Sequence, residues 1–312
     1  DIIRGEVSVE WSTISDFVIV RSNGTPVFFL ANAVDDVDMA ITHVLRGEDL
    51  IDSTHRVLAL RRALGHDDQP AYAHMPLILG PGGGKLSKRH GAVSVEEYRD
   101  AGYLPAALLN YLALLGWGPE DDREILSIDE LVAEFELERV NTSGATFDPK
   151  KLEWMNGEHI RALPPAELAS AVLPFARTRY GDRLEIPRFE AAVKLAQVRA
   201  TTLVQIADQM AFLFTADDAL EIDPASWEKS AKVEEAPAIL DAVIAFVETC
   251  EWTREIDPRS AIEALGVKPG KVMHILYTAI EGRSQGLPVF DSIGLLGRES
   301  ALTRLRAARA RL

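Results

Sequence analysis

The strongest constraint on the fold is a single handover along the chain. The apolar run Ile41-Thr42-His43-Val44-Leu45 reads as a short buried strand, and it ends in the polar cluster Arg46-Gly47-Glu48-Asp49. Ser53 then opens a helical segment through Leu64, closed by Gly65. A strand, a polar cluster at its carboxyl end and a helix form a βα unit, and open α/β sheets bind ligands outside the carboxyl ends of their strands. The run His74–Leu79 reads as a further strand leading into Pro81-Gly82-Gly83-Gly84-Lys85-Leu86-Ser87-Lys88-Arg89-His90-Gly91. Glycine allows positive φ and close approach to a ligand, and lysine is a mobile point charge for phosphate. Together they suggest a loop that closes on a polyphosphate. A solvated basic turn is the other reading of that loop taken alone.

Upstream, the apolar runs Asp16–Arg21 and Pro26–Ala31 flank Ser22-Asn23-Gly24-Thr25, a hairpin signal. Downstream the pattern turns helical. Ser94-Val95-Glu96-Glu97 is a capping box, Leu104-Pro105 opens a helix to Leu115, Ser127 is an N-cap with acids behind it, and Asp148-Pro149 is an N-cap and N1 pair. From Pro164 onward helical periodicity recurs, including one long run from Phe189 to Phe214. Residues 217–235 form the most loop-like interval and the best linker candidate. The fold class is therefore α/β followed by all-α.

Composition narrows the function classes. At 312 residues the chain has room for two or three domains. Mean hydropathy is +0.00 and 47% of residues are hydrophobic, as in an ordinary globular protein. No run of about 18 apolar residues is present, so no membrane span is expected, and no signal peptide is visible. The single Cys250 excludes an internal disulfide framework and a thiolate metal cluster, which points to a reducing, cytoplasmic setting. A net charge of −15 disfavours nonspecific nucleic-acid binding; an RNA partner would need local basic patches.

Several residues carry candidate chemistry, each beside a plainer reading. Arg46 is suited to a carboxylate through two parallel hydrogen bonds, and Glu48 and Asp49 to an ammonium or ribose hydroxyls. A structural ion-pair network is the alternative. Asn32, Asp35 and Asp36 either line a polar pocket or cap the next helix. The histidines lack ligand spacing, so no protein-bound metal is expected; magnesium would arrive with a nucleotide. Ser87 lacks a Gly-x-Ser-x-Gly elbow and is not read as a nucleophile. The basic run Arg298, Arg304, Arg306, Arg309 and Arg311 either tracks phosphate or is a solvated helix face.

Lys85-Leu86-Ser87-Lys88-Arg89 resembles the second signature loop of class I aminoacyl-tRNA synthetases. Around it, Arg21–Pro26, Val34-Asp35-Asp36, Ile41–Asp49, Lys85–Val95, Leu108–Trp117, Phe147-Asp148, Lys151–Asn156, Gly266–Val272 and Leu295–Glu299 are similar to one member family, bacterial glutamyl-tRNA synthetase. The resemblance covers the whole chain. It implies the second half of a Rossmann-type catalytic domain (1–66), a stem-contact region with the KLSKR loop (67–150) and a helical anticodon-binding region (151–312), subdivided near 217–235. It implies L-glutamate, ATP with Mg2+ and a glutamate-accepting tRNA as substrates and partners, no bound zinc, no membrane and a monomer. Carried over by position, Phe28, Asn32 and Arg46 hold glutamate. Asp49, Ile78, Lys85, Leu86, Ser87, Lys88 and Arg89 bind ATP, with Lys85, Ser87 and Lys88 catalytic. Lys88 then meets phosphate charge as pyrophosphate leaves, a positioned-cation role.

Three departures qualify this. Phe28 stands where the family usually has tyrosine. Tyr277 ends the stretch Gly270–Tyr277 where an arginine is usual. The family's first signature motif is absent from these residues, so the chain alone is expected to lack ligase activity. The alternative is a catalytically silent tRNA-binding paralogue or fragment.

Overall fold

The turn at Ser22–Thr25 forms and closes a hairpin of minimal length, with the Arg21 amide bonded to the Thr25 carbonyl and the Val27 amide to the Ile19 carbonyl, both at 2.9 Å. Asn23 Oδ1 accepts from the Thr25 amide at 3.1 Å, and Val20 and Pro26 make one antiparallel bridge. Beyond it the second apolar run is a helix, α1 (Phe28–Asp38). Ala33 is fully buried, and Phe29 meets Phe17 edge-on at 5.5 Å. The run thus buries one helical face rather than alternate residues. Asp35 and Asp36 lie inside α1 and cap nothing downstream. In this computed structural model residues 1–80, 82–84, 86, 94–252, 256–263 and 265–312 are described.

The expected βα unit is present with shifted ends. β1 (His43–Gly47) leads through a 3-10 turn into α2 (Ile51–Ala63), which returns to β2 (Ala71–Met75). β1 and β2 pair in parallel, with Arg46 opposite His74. α2 packs on α1, and Arg56 of α2 lies over the rings of Phe17 and Phe29. The strand expected over His74–Leu79 is broken at Pro76, which has no N–H to continue a ladder. β3 (Ile78–Leu79) pairs in parallel with β4 (Ala145–Thr146) instead.

The helices after the glycine loop are α3 (Val95–Asp100), α4 (Pro105–Leu114), α5 (Ile128–Glu134) and α6 (Pro149–Ala162). Both capping boxes form: Ser94 and Glu97 exchange bonds at 3.1 and 3.2 Å, and Ser127 and Glu130 at 2.7 and 3.2 Å. Two compact units result, residues Asp1–Tyr98 with Pro105–Met155, and Arg99–Leu104 with Asn156–Leu312. In the first, Ile3, Ala73, Trp117, Leu126, Leu131 and Val140 form a buried cluster. There the Tyr111 hydroxyl accepts from the Asp148 amide at 2.6 Å and donates to its carbonyl at 3.1 Å, fixing the start of α6.

The described part of the second unit is helical: α7 (Pro165–Tyr180), α8 (Ile186–Ala196), α9 (Leu203–Gln209), α10 (Pro224–Ala231), α11 (Ala236–Thr249), α12 (Arg259–Glu263), α13 (Pro269–Glu281), α14 (Val289–Leu296) and α15 (Arg298–Arg311). The single run expected from Phe189 to Phe214 is interrupted, because Thr202 caps a new helix by accepting from the Gln205 amide at 3.1 Å. Residues 217–235 are not a loop. Asp223 Oδ2 accepts from the Ser226 amide at 2.7 Å and starts α10 with Pro224 at its first position. Cys250 is the C-cap of α11.

One of the C-terminal arginines is spent inside the fold, and the other four engage partners nearer the surface. Arg304 is 3% exposed. Its Nε donates to Asp217 at 2.6 Å, Nη1 to the Ile280 carbonyl at 2.9 Å, and Nη2 to the carbonyls of Phe212 and Thr215 at 3.0 and 2.8 Å. Arg306 and Arg309 pair with Glu248 and Asp241 of α11. Arg298 and Arg311 lie over the rings of Trp252 and Trp227. Arg304 is thus a buried structural residue, while Arg306 and Arg311 keep an exposed position on the helix.

Candidate functional site

The parallel register brings Arg46 and His74 side by side at the carboxyl end of the β1–β2 pair. Arg46 Nε donates to His74 Nε2 at 3.2 Å. Nε2 is therefore an acceptor, the ring is neutral, and Nδ1–H donates to Asp1 Oδ2 at 2.6 Å. Burial, then the charges of Arg46 and Arg4, lower the His74 pKa to about 4. This contact is a hydrogen bond rather than an ion pair at neutral pH.

The rest of the guanidinium is also engaged. Nη2 donates to Thr54 Oγ1 at 2.7 Å and to the Leu50 carbonyl at 3.4 Å, both at the start of α2. Nη1 donates to Asn32 Oδ1 at 3.3 Å. The Tyr72 ring lies 5.6 Å from the guanidinium carbon. Burial lowers the Arg46 pKa, yet a guanidinium keeps its charge. Burial likewise raises the Tyr72 pKa, and its hydroxyl is enclosed without a hydrogen-bond partner.

Asn32 is oriented from behind. Its Nδ2 donates to Asp36 Oδ2 at 2.8 Å, one turn along α1, so its oxygen faces Arg46. Phe28 lies one turn earlier on α1 and is 52% exposed. α1 thus presents Phe28 and Asn32 at helical spacing, and Arg46 meets Asn32. Glu48 is occupied elsewhere: it forms an ion pair with Arg4 and accepts from the Leu77 amide at 3.0 Å. Asp49 is exposed, with its carboxylate folded over Gly47.

Ile78 and Leu86 form a second group. The Leu86 amide donates to the Ile78 carbonyl at 3.0 Å, and Gly80 bonds both Gly83 and Gly84, so the glycine run folds back on itself. Lys85, Ser87, Lys88 and Arg89 lie outside the described residues.

His74, Thr54 and Tyr72 were not singled out from sequence as site residues. The parallel register was the missing signal, since it alone places His74 and Tyr72 beside Arg46.

Two family models divide the chain. One described as tRNA synthetases class I (E and Q), catalytic domain, matches residues 1–154; one described as an anticodon binding domain matches residues 167–309. The glutamate–tRNA ligase of Salinispora arenicola is 46% identical over 325 residues, covering 100% of this chain and 68% of its own length. That of Thermobifida fusca is 44% identical, covering 100% and 67%. The chain belongs to the glutamate–tRNA ligase family.

A solved glutamate tRNA ligase from Elizabethkingia meningosepticum, in complex with its amino acid, superposes with a TM-score of 0.84 at 32% identity, over 100% of this chain and 65% of that one. Across relatives of the family the chain spans 64% to 69% of the full length. The α/β and then all-α order read from the sequence is that of this family. Among the described residues no group of three His, Cys, Asp or Glu side chains suits a metal ion, and no helix is long and apolar enough to cross a membrane.

Proposed function

We propose that this chain carries the glutamate-binding and tRNA-binding parts of a glutamate–tRNA ligase. The observation that supports it most is the Arg46 fork, set at a strand end, oriented by His74 and Thr54 and opening toward Asn32. Its bonds to Leu50 and Asn32, at 3.4 and 3.3 Å, are the long ones. A substrate carboxylate displaces these two and gains paired charge-assisted bonds. Phe28 and Asn32 wall the same pocket.

The chemistry is carboxylate attack on the α-phosphorus of ATP. The P–O bond to pyrophosphate breaks and glutamyl-adenylate forms. A 3′-terminal hydroxyl of tRNA then attacks the acyl carbon, and AMP leaves. Asp49, Ile78 and the Lys85–Arg89 loop serve ATP. Lys85 and Lys88 meet charge on the departing phosphates, and Ser87 holds the loop against them. Mg2+ accompanies the nucleotide. The helical unit takes the anticodon side of tRNA. A cavity of about 740 Å³ there is lined by Arg199, Asp257, Arg259, Tyr277, Phe290 and Asp291, and its arginines and Tyr277 suit an unstacked base. We retain the finer division into 1–66, 67–150 and 151–312, and a cytoplasmic monomer.

Glutamate-dependent ATP–pyrophosphate exchange by the full gene product tests the ligase reading. Exchange that requires L-glutamate and is lost in Arg46→Ala supports it. Exchange indifferent to Arg46 overturns the assignment of the pocket. RNA binding without exchange points to the silent paralogue.

A further inference from the structure

The turn between α13 and α14 is built around a buried acid. Gly282 takes a left-handed conformation at φ +76°, and its space is closed by the Glu221 carbonyl, 2.3 Å from where a Cβ would sit. A side chain at 282 is thus excluded twice. The chain then runs through Arg283 to Pro288. Inside this turn lies Glu281, whose side chain has no solvent exposure. The Ser292 hydroxyl of α14 donates to Glu281 Oε1 at 2.8 Å. Oε2 has no hydrogen bond, facing Arg283 Nε at 3.6 Å. A Cβ at Gly286 would fall 1.6 Å from Oε2, so the turn closes directly on the carboxyl group.

The two ends of this turn border two cavities. On one side lies a cavity of about 590 Å³ lined by Arg179, Asp208, Glu221, Asp223, Glu281 and Arg283. On the other, Pro288, Val289, Phe290 and Asp291 follow the turn without a break and wall the Arg199–Tyr277 cavity. A shift of the turn moves that wall.

We propose that Glu281 is a positioning residue for RNA binding: its buried carboxyl holds the Gly282–Pro288 turn against α14 and so sets the wall of the Arg199–Tyr277–Phe290 cavity. The proposal rests on the reading of the helical unit as tRNA-binding. A neutral carboxyl suits this enclosed position, since an ionised oxygen without a donor is costly to bury. Burial pushes the Glu281 pKa up to about 7, against the opposing pull of Ser292, Arg283 and the Leu287 amide. Opening the turn returns the acid to its ordinary range. The closed turn therefore holds when Glu281 is protonated and is lost as pH rises through about 7. Several charged groups face or border this turn. They are Arg283 of the turn, Arg304 of α15, Arg179 and Asp208 of the adjoining cavity, and Glu221 and Asp223 before α10. Ser292 and Asp291 are the neighbours from α14.

The test compares the wild-type chain with Glu281→Gln, which keeps the shape and stays neutral. A glutamate-accepting tRNA is titrated at about pH 6 and about pH 8 at fixed salt, with anisotropy as the readout. One linked proton changes affinity by at most about tenfold per pH unit. The wild type is expected to bind about five- to tenfold more weakly at the higher pH, and Glu281→Gln to differ by less than about twofold. Parallel pH profiles for the two proteins overturn the proposal, as does a flat wild-type profile. Trypsin cleavage after Arg283 reads the turn without RNA. At about pH 8 the Gln variant is expected to be cut more slowly than wild type, and equal rates overturn the proposal. If slow cleavage is seen but neither protein binds tRNA, the RNA-binding reading fails and the positioning role fails with it.

Discussion

Arg46 has its hands already full. Four of its five N–H groups are directed at protein acceptors, two of them over long distances. The fork is therefore held in place by the protein, and on the proposed reading glutamate replaces weak bonds rather than ordering a loose side chain. Arg46→Lys keeps the charge and loses the fork. We expect it to cost about 1.5–3 kcal/mol of glutamate binding, read as a raised KM for glutamate in pyrophosphate exchange by the full gene product. An unchanged KM would show that the fork is structural. His74 supplies a pH signature of its own. With its pKa lowered to about 4, the folded state resists the proton that an unfolded chain takes up. Stability is full above the unfolded value near 6.5 and falls as pH drops toward 4. Urea denaturation from about pH 7 down to about pH 5 should show a decline on the order of 1 kcal/mol from this residue. His74→Asn should flatten that part of the profile.

The C-terminal helix gives the clearest test at the level of an element. Arg304 joins α15 to the 212–215 segment, to Asp217 and to the end of α13 through four hydrogen bonds. Removing one member of a buried charged pair costs about 3–5 kcal/mol. Arg304→Ala should destabilise the helical unit by that order in urea, and Arg304→Lys should recover only part, since one ammonium cannot reach all four oxygens. Arg306→Ala and Arg309→Ala break exposed pairs with Glu248 and Asp241 and should cost only about 0–1 kcal/mol each. They should also leave tRNA affinity within about twofold, because these arginines face α11. These contrasts mark what a sequence can disclose. Local chemistry was legible: the Ser94 capping box, the Ser127 N-cap, the Asp148–Pro149 start and the βα handover stand where side chains and backbone act within one turn. Position in space was not. Five arginines on one helix look alike until the packing buries Arg304 and leaves Arg306 at the rim. The segment from Phe28 reads as a strand until burial of Ala33 shows which period applies. Arg46 and Asn32, which the fold brings into contact, were both candidates from the sequence, whereas the contact with His74 needed the parallel register across some 28 residues.

For the whole molecule, charge and chain order set the terms. A net charge of −15 opposes the approach of an RNA polyanion within about a Debye length, beyond which salt screens it, so on the proposed reading the cations that hold tRNA must act at close range. Added salt should therefore leave the association rate level or raise it, while the dissociation rate climbs. Stopped-flow mixing of chain and tRNA across a salt series checks this; an association rate that falls steeply with salt would mean that a basic surface steers the encounter. The same long reach across the sequence bears on how the chain is made. Asp217 and the Phe212 carbonyl leave the ribosome 87 and 92 residues ahead of Arg304. At about 5–20 residues per second that is a wait of roughly 4–18 s. Through that interval the hydrated acceptors have no guanidinium, and the nascent helices stand open to any chaperone that reads exposed apolar faces. Arg304 works as a late-arriving clasp, and the helical unit shuts only when synthesis has passed it.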